Sequence, residues 1–141
     1  MDAVTVGSLV ALAGALVAMK VMPRLVAGVP FVPPADLKAR MDRGESVLVV
    51  DVRSPAEFGG DGGHVPGAIN LPVGVLSERL SVVADRLDEY RNTPVFVMCH
   101  TSNRSPYGAR ALKKAGFADV NVVAGGMSRW LREGLPSTRT R

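Results

Sequence analysis

PVFVMCHTSNRSPYGARALKKAG, residues 94–116, decides how this chain folds. Its opening apolar run has the unbroken hydrophobicity of a strand buried on both faces. Its second half, SPYGARALKKAG (105–116), reads as a helix opened by Ser-Pro and stopped by Gly116. Between them lies CHTSNRS, residues 99–105, which holds the only cysteine in the chain. A strand, a short loop and a helix in that order are the first part of a parallel crossover unit. The loop sets a lone thiol at the strand end, with an arginine five residues on.

Working outward, the same alternation repeats. SVLVVDVR (46–53) is a second buried strand, and ADVNVVAGG (118–126) holds a third. PADLKARMDRG (34–44) reads as a short helix, with Leu37 and Met41 four apart and Gly44 as its stop. Ser54, Pro55 and Glu57 fit the N-cap, N1 and N3 positions of a helical turn. GGDGGHVPGAINLP (59–72) is rich in turn residues around a short strand at Ala68–Leu71. SERLSVVADRLDEY (77–90) carries Leu80, Val83 and Leu87 at helical spacing, and MSRWLREG (127–134) closes the pattern as a short helix with Trp130 packed in the core. Strands alternating with helices predict an α/β fold, an open and mostly parallel sheet flanked by helices on both faces.

The 141 residues suffice for one domain and an appendage. With 47% hydrophobic and 21% charged residues the balance is that of a globule. One Cys and two His exclude a disulfide framework and argue against a structural metal site. The net charge of +4 is spread along the chain, so no nucleic-acid partner is expected, and STRTR (137–141) reads as a flexible tail.

The N-terminal stretch stands apart. Ala3 to Met22 has one charge, Lys20, and its length at ~1.5 Å per residue is just enough for a ~30 Å hydrocarbon core. Residues 1–22 are therefore expected to form a transmembrane anchor. A signal peptide fits less well, because only Asp2 precedes the apolar run. Lys20 and Arg24 after the span imply a single-pass protein of the cell membrane with its domain facing the cytoplasm. That location would allow a membrane protein as partner. Residues 23–34, with four prolines, read as a linker, residues 35–136 as the domain, and 137–141 as the tail.

Ligands of open α/β sheets bind beyond the carboxyl ends of the strands. Three such ends carry polar or flexible groups here: Asp51 to Arg53, the Cys99 loop, and Gly125-Gly126. The loop's backbone amides can form an anion-binding nest, and the helix start and Arg104 add positive charge. That setting favours a thiolate. A buried, inert cysteine is the competing reading, but it needs neither a nest nor an arginine beside it.

These segments together resemble the rhodanese-like (sulfurtransferase) domain over residues 35–136. VLVVDVRSPAEF (47–58) is similar to the family's first signature and GHVPGAINLP (63–72) to its second. CHTSNRS resembles its active-site loop, and GGMSRWLREGLP (125–136) its C-terminal signature. With the N-terminal span, the chain resembles a single-domain, membrane-anchored bacterial member. The resemblance implies that Cys99 takes sulfane sulfur from a small anionic donor such as thiosulfate. It would hold the sulfur as a persulfide and pass it to a thiol or to cyanide, with no cofactor. The amides of His100, Thr101, Ser102, Asn103 and Arg104 would cradle the persulfide. Ser102 departs from the family, which often has glycine at that position.

Several neighbours carry structural readings. Asp51 is expected to brace the loop by accepting its N–H groups, with Arg53 beside it. Arg53 and Glu57 are expected to pair, and His64 to be a hydrogen-bonded turn residue. Arg104 either grips the donor anion or only shapes the loop. Two other functions compete. Phosphatases and arsenate reductases also close a cysteine loop with arginine, but with one more residue than the C-x4-R found here. A membrane-tethered binding module without turnover would not need the cysteine.

Overall fold

A computed structural model describes residues 2–140, with backbone alone at residues 20, 23, 24, 26 and 27. Helix α1 (Ala3–Ala27) leads into strand β1 (Phe31–Val32), helix α2 (Pro34–Asp42), strand β2 (Leu48–Asp51) and the short helix α3 (Pro55–Phe58). Strand β3 (Ile69–Asn70), helix α4 (Val73–Val82), strand β4 (Val95–Met98), helix α5 (Ser105–Lys114), strand β5 (Val120–Val123) and helix α6 (Gly126–Arg132) follow. The five strands form one sheet in the order β1-β5-β4-β2-β3, and every pairing is parallel. The expected α/β architecture is therefore present.

Alternation along each strand divides the core. Val50, Val52, Val95, Val97, Cys99, Val120 and Val122 face one side, where they pack with Leu76 and Leu80 of α4 and Ala109 and Leu112 of α5. Val49, Phe96, Met98 and Val123 face the other, against Leu37 of α2 and Met127 and Trp130 of α6. Trp130 is fully buried, as expected, and its indole N–H donates to the Pro136 carbonyl at 2.8 Å. Cys99 belongs to the odd-numbered series of β4, so the strand's own pleat turns it under α5.

Four expectations give way. Among the described residues no helix is long and apolar enough to cross a membrane. The uncharged stretch between Asp2 and Lys20 covers only residues 3–19. At ~1.5 Å per residue it reaches about 26 Å, short of a ~30 Å core. The single-pass cell-membrane placement, and the membrane contact through the N-terminal helix, fall with the anchor. The expected linker is also largely structured: residues 23–27 continue α1, Phe31–Val32 form the edge strand β1, and Pro34 opens α2. Proline removes a donor but not an acceptor, and the sheet uses the Pro30 carbonyl. Val122 donates to the Pro30 carbonyl and Ala124 to the Val32 carbonyl, at 2.9 and 2.8 Å. The expected tail is docked at Thr138 rather than free, since His64 and Thr138 exchange two backbone hydrogen bonds of 2.9 Å, and its last residue, Arg141, lies outside the described residues. Finally, the helix expected over 77–90 begins earlier, at Val73, and breaks after Val82 into two 3-10 turns, Ala84–Arg86 and Asp88–Tyr90.

Candidate active site

Cys99 follows the last residue of β4, and its residue surface is 1% exposed. Its carbonyl accepts from the Met127 amide at 2.7 Å, and the His100 carbonyl accepts from the Ser128 amide at 2.9 Å. The first turn of α6 thus captures the first two carbonyls of the loop. Gly125 and Gly126, both at positive φ (77° and 58°), bring that turn in so close. This is the expected convergence of the Cys99 and Gly125-Gly126 strand ends, realised through backbone contacts.

With its carbonyls drawn outward, the loop leaves its amides free. The N–H groups of residues 100–105 donate to no acceptor among the described residues. Amides left without an acceptor in a loop are available to an anion. Ser102 sits at φ 70°, the only non-glycine residue at positive φ among those described. It adopts the left-handed conformation a glycine would supply, so the departure from the family costs strain of about 1 kcal/mol rather than a different loop path. The side chains of His100, Thr101 and Asn103 bond nothing among the described residues, and His100, Thr101 and Asn103 are exposed.

The Arg104 carbonyl accepts from Tyr107 and Gly108, which starts α5. Gly108 lets α5 approach the sheet, because a Cβ there would lie 2.9 Å from Val52 Cγ1. Ser105, fully buried in the first turn, carries the one buried side-chain polar atom without a partner among the described residues, Oγ. Sequence reading did not single it out.

The guanidinium of Arg104 turns away from open solvent toward α3. Its Nη1 and Nη2 donate to Glu57 Oε1 and Oε2 at 2.7 and 2.8 Å, a bidentate pair. Glu57 is itself part of a capping box: Ser54 N and Oγ donate to its Oε1, and its own amide donates to Ser54 Oγ at 3.2 Å. The Arg104 hydrogen bond, helped by the Ser54 amide, holds the Glu57 carboxyl down to about 2 against partial burial. Arg104 is raised in turn, first by its hydrogen bond to Glu57, against the opposing effect of partial burial. The cap was legible in the sequence as Ser-x-x-Glu. Nothing in the spacing pointed from Glu57 to a residue 47 positions away.

The expected Arg53–Glu57 pair does not form. Arg53 folds back on Asp51, with Nη2 2.8 Å from Oδ2 and Nε 3.0 Å from Oδ1, and both residues are buried. The turn from β2 into α3 points Arg53 inward, and Nη2 also donates to the Gly63 carbonyl at 2.8 Å. Asp51 is consumed by this pair and the Arg53 amide, and it accepts none of the loop N–H groups. Its carboxylate therefore does not brace the loop directly. His64 is a buried turn residue as expected, stacked on Phe58, with Nδ1 2.7 Å from the Phe58 carbonyl and Nε2 3.0 Å from that of Thr140. No group of three or more His, Cys, Asp or Glu among the described residues is placed to hold a metal ion.

Over most of its length the chain is similar to known proteins. A model of the rhodanese-like domain matches residues 33–133. The putative sulfur carrier protein YrkF of Bacillus subtilis is 33% identical over 102 residues, covering 72% of this chain and 51% of that protein. The chain thus spans about half the length of that relative. A sulfurtransferase of Allochromatium vinosum is 33% identical over 100 residues, covering 71% of this chain and 86% of the relative. A rhodanese-related protein of Thermoplasma volcanium superposes with a TM-score of 0.65 at 27% identity, over 79% of this chain and 99% of that one.

Proposed function

Because this chain belongs to the rhodanese-like domain family, with sulfurtransferases among its relatives, we propose that it carries sulfane sulfur on Cys99. The observation that carries the reading is the row of unpaired amides at residues 100–105, at the mouth of a lone thiol. In the first half-reaction the Cys99 thiolate attacks the outer sulfur of a donor. With thiosulfate the S–S bond breaks, sulfite leaves with the bonding pair, and Cys99–S–S⁻ remains. In the second, cyanide or a thiolate attacks the terminal sulfur, and Cys99 leaves as thiolate. Each half-reaction transfers one neutral sulfur atom, so neither oxidant nor cofactor enters the balance.

The free amides supply what the intermediate needs. The terminal persulfide sulfur bears the negative charge, and preorganised N–H donors hold it without reorganising. The first turn of α5 adds its dipole behind them. Asp51 and Arg53 support the site at one remove, by fixing the end of β2 beside β4 through the Asp51–Met98 register.

Intact mass spectrometry tests the reading. Wild-type protein exposed to thiosulfate or a hydropersulfide should gain the mass of one sulfur atom and lose it to cyanide. Cys99→Ser should gain nothing. Sulfur transfer surviving in Cys99→Ser would refute the mechanism, because the chain has no second thiol.

A further inference from the structure

Four charged side chains lie in the Cys99 loop and in the adjoining turn from β2 into α3, and they cancel in pairs. Asp51 and Arg53 neutralise each other in the interior. Arg104 is the only charged side chain of the loop, and its guanidinium fork is filled by Glu57. Glu57 is held from its other side by Ser54, so its carboxylate is in place before any ligand arrives. What remains for a ligand is the set of free amides, which suits one negatively charged sulfur. Thiosulfate brings two negative charges toward a thiolate that already has one. A dianion drawn out of water needs a cation to offset its desolvation, and a bidentate guanidinium is the usual partner for a planar or tetrahedral oxyanion.

We propose that Glu57 is a specificity-determining residue: it withholds Arg104 from donor anions and so adapts the site to a hydropersulfide, RS–SH, in preference to thiosulfate. The inference rests on the Cys99 persulfide reading and names the donor class for it. In the balanced step the Cys99 thiolate attacks the outer sulfur of RS–SH, the S–S bond breaks, and RS⁻ leaves. Cys99–S–SH forms and releases its proton to solvent as the amides take up the anion. No dianion enters and no sulfite leaves, so no guanidinium is required.

The test is donor selectivity of the full chain, read as kcat/KM with thiosulfate and with cysteine hydropersulfide. Wild type should favour the hydropersulfide by about tenfold or more, the equivalent of one charge-assisted contact. Glu57→Gln retains an oxygen acceptor for Ser54 but releases Arg104. It should lower KM for thiosulfate about tenfold and change hydropersulfide turnover by less than about threefold. Adding Arg104→Ala to Glu57→Gln should cancel the gain. A wild type that prefers thiosulfate overturns the inference, and so does a folded Glu57→Gln protein with an unchanged donor ratio. If Glu57→Gln fails to melt cooperatively, the wild-type preference decides alone. Failure of both donors to load Cys99 would instead remove the persulfide reading itself, and this inference with it.

Discussion

Gly126 shows how tightly a single residue sets the sulfur site. A Cβ on it would strike the carbonyl oxygen of Cys99 and lie 2.6 Å from that of His100, and its φ of 58° already disfavours a side chain. Both obstacles are backbone, which cannot swing aside as a side chain would. Gly126→Ala should therefore displace the loop or α6 while leaving the sheet intact. Sulfur loading of Cys99 should fall by about 100-fold, the cost of displacing a positioned group by about 1 Å. Intact-mass time courses beside a melting curve would check this, and unchanged loading would mean that α6 does not hold the loop. At this scale the sequence was informative about Cys99, whose loop has a recognisable length and neighbours. It was uninformative about Ser105 and about the partner that Glu57 finds in Arg104. Their importance comes from what the fold brings near them, and a side chain's partner across dozens of residues leaves no trace in local spacing.

Between elements, the Arg104–Glu57 pair ties α5 to α3 across the mouth of the loop. The Glu57 carboxyl is held at about 2, below its ordinary value of 4.5, so the pair contributes stability that is full above pH 4.5. That contribution is lost as pH falls through about 2. Both side chains are about one-third exposed, so solvent screening limits the effect to about 1 kcal/mol or less. Melting temperatures followed from pH 5 down toward pH 2 should thus fall more steeply for wild type than for Glu57→Gln. Parallel curves would show that the pair adds nothing to folding. Strands β2 and β4 were plain in the sequence because burial on both faces makes them near-continuous apolar runs, and β5 keeps that pattern except at Asn121. Strand β1 was hidden between prolines, which interrupt a strand pattern yet keep the carbonyl that the sheet uses at Pro30. The break in the expected 77–90 helix was hidden too: Leu80, Val83 and Leu87 hold helical spacing, and a 3-10 turn differs too little in period to disturb it.

For the molecule as a whole, the folded unit is wider than the apolar pattern marks. Phe31 and Val32 belong to the sheet, and Thr138 to Thr140 close over His64. Trimming to residues 35–136 removes several backbone hydrogen bonds, four of which tie the flanks to β5 and to His64: from Val122 to Pro30, from Ala124 to Val32, and the two between His64 and Thr138. At about 1 kcal/mol each this amounts to about 4 kcal/mol, before any apolar surface is counted. A chain of residues 28–141 should melt cooperatively, and one of residues 35–136 should melt lower by about 10 °C or more. Equal melting temperatures would show that the two flanks rest on the domain without supporting it. Composition and alternation were enough to read the architecture. The flanks were misread because proline and arginine content suggests a mobile chain, whereas docking depends on backbone groups that composition does not record.

The two-residue strands at either side of the sheet bear on how the protein behaves when crowded. An unpaired strand edge is a template on which another chain can add itself, and a long flat one seeds aggregation. Here β1 and β3 are the outermost strands. Each offers so short a ladder that a foreign strand would find only one or two hydrogen bonds before the chain turns away. Prolines flank both, at 30 and 33 on one side and at 66 and 72 on the other. The long apolar runs that build the sheet are all enclosed between these blunt margins, so the segments most able to form fibrils are the ones least available while the protein stays folded.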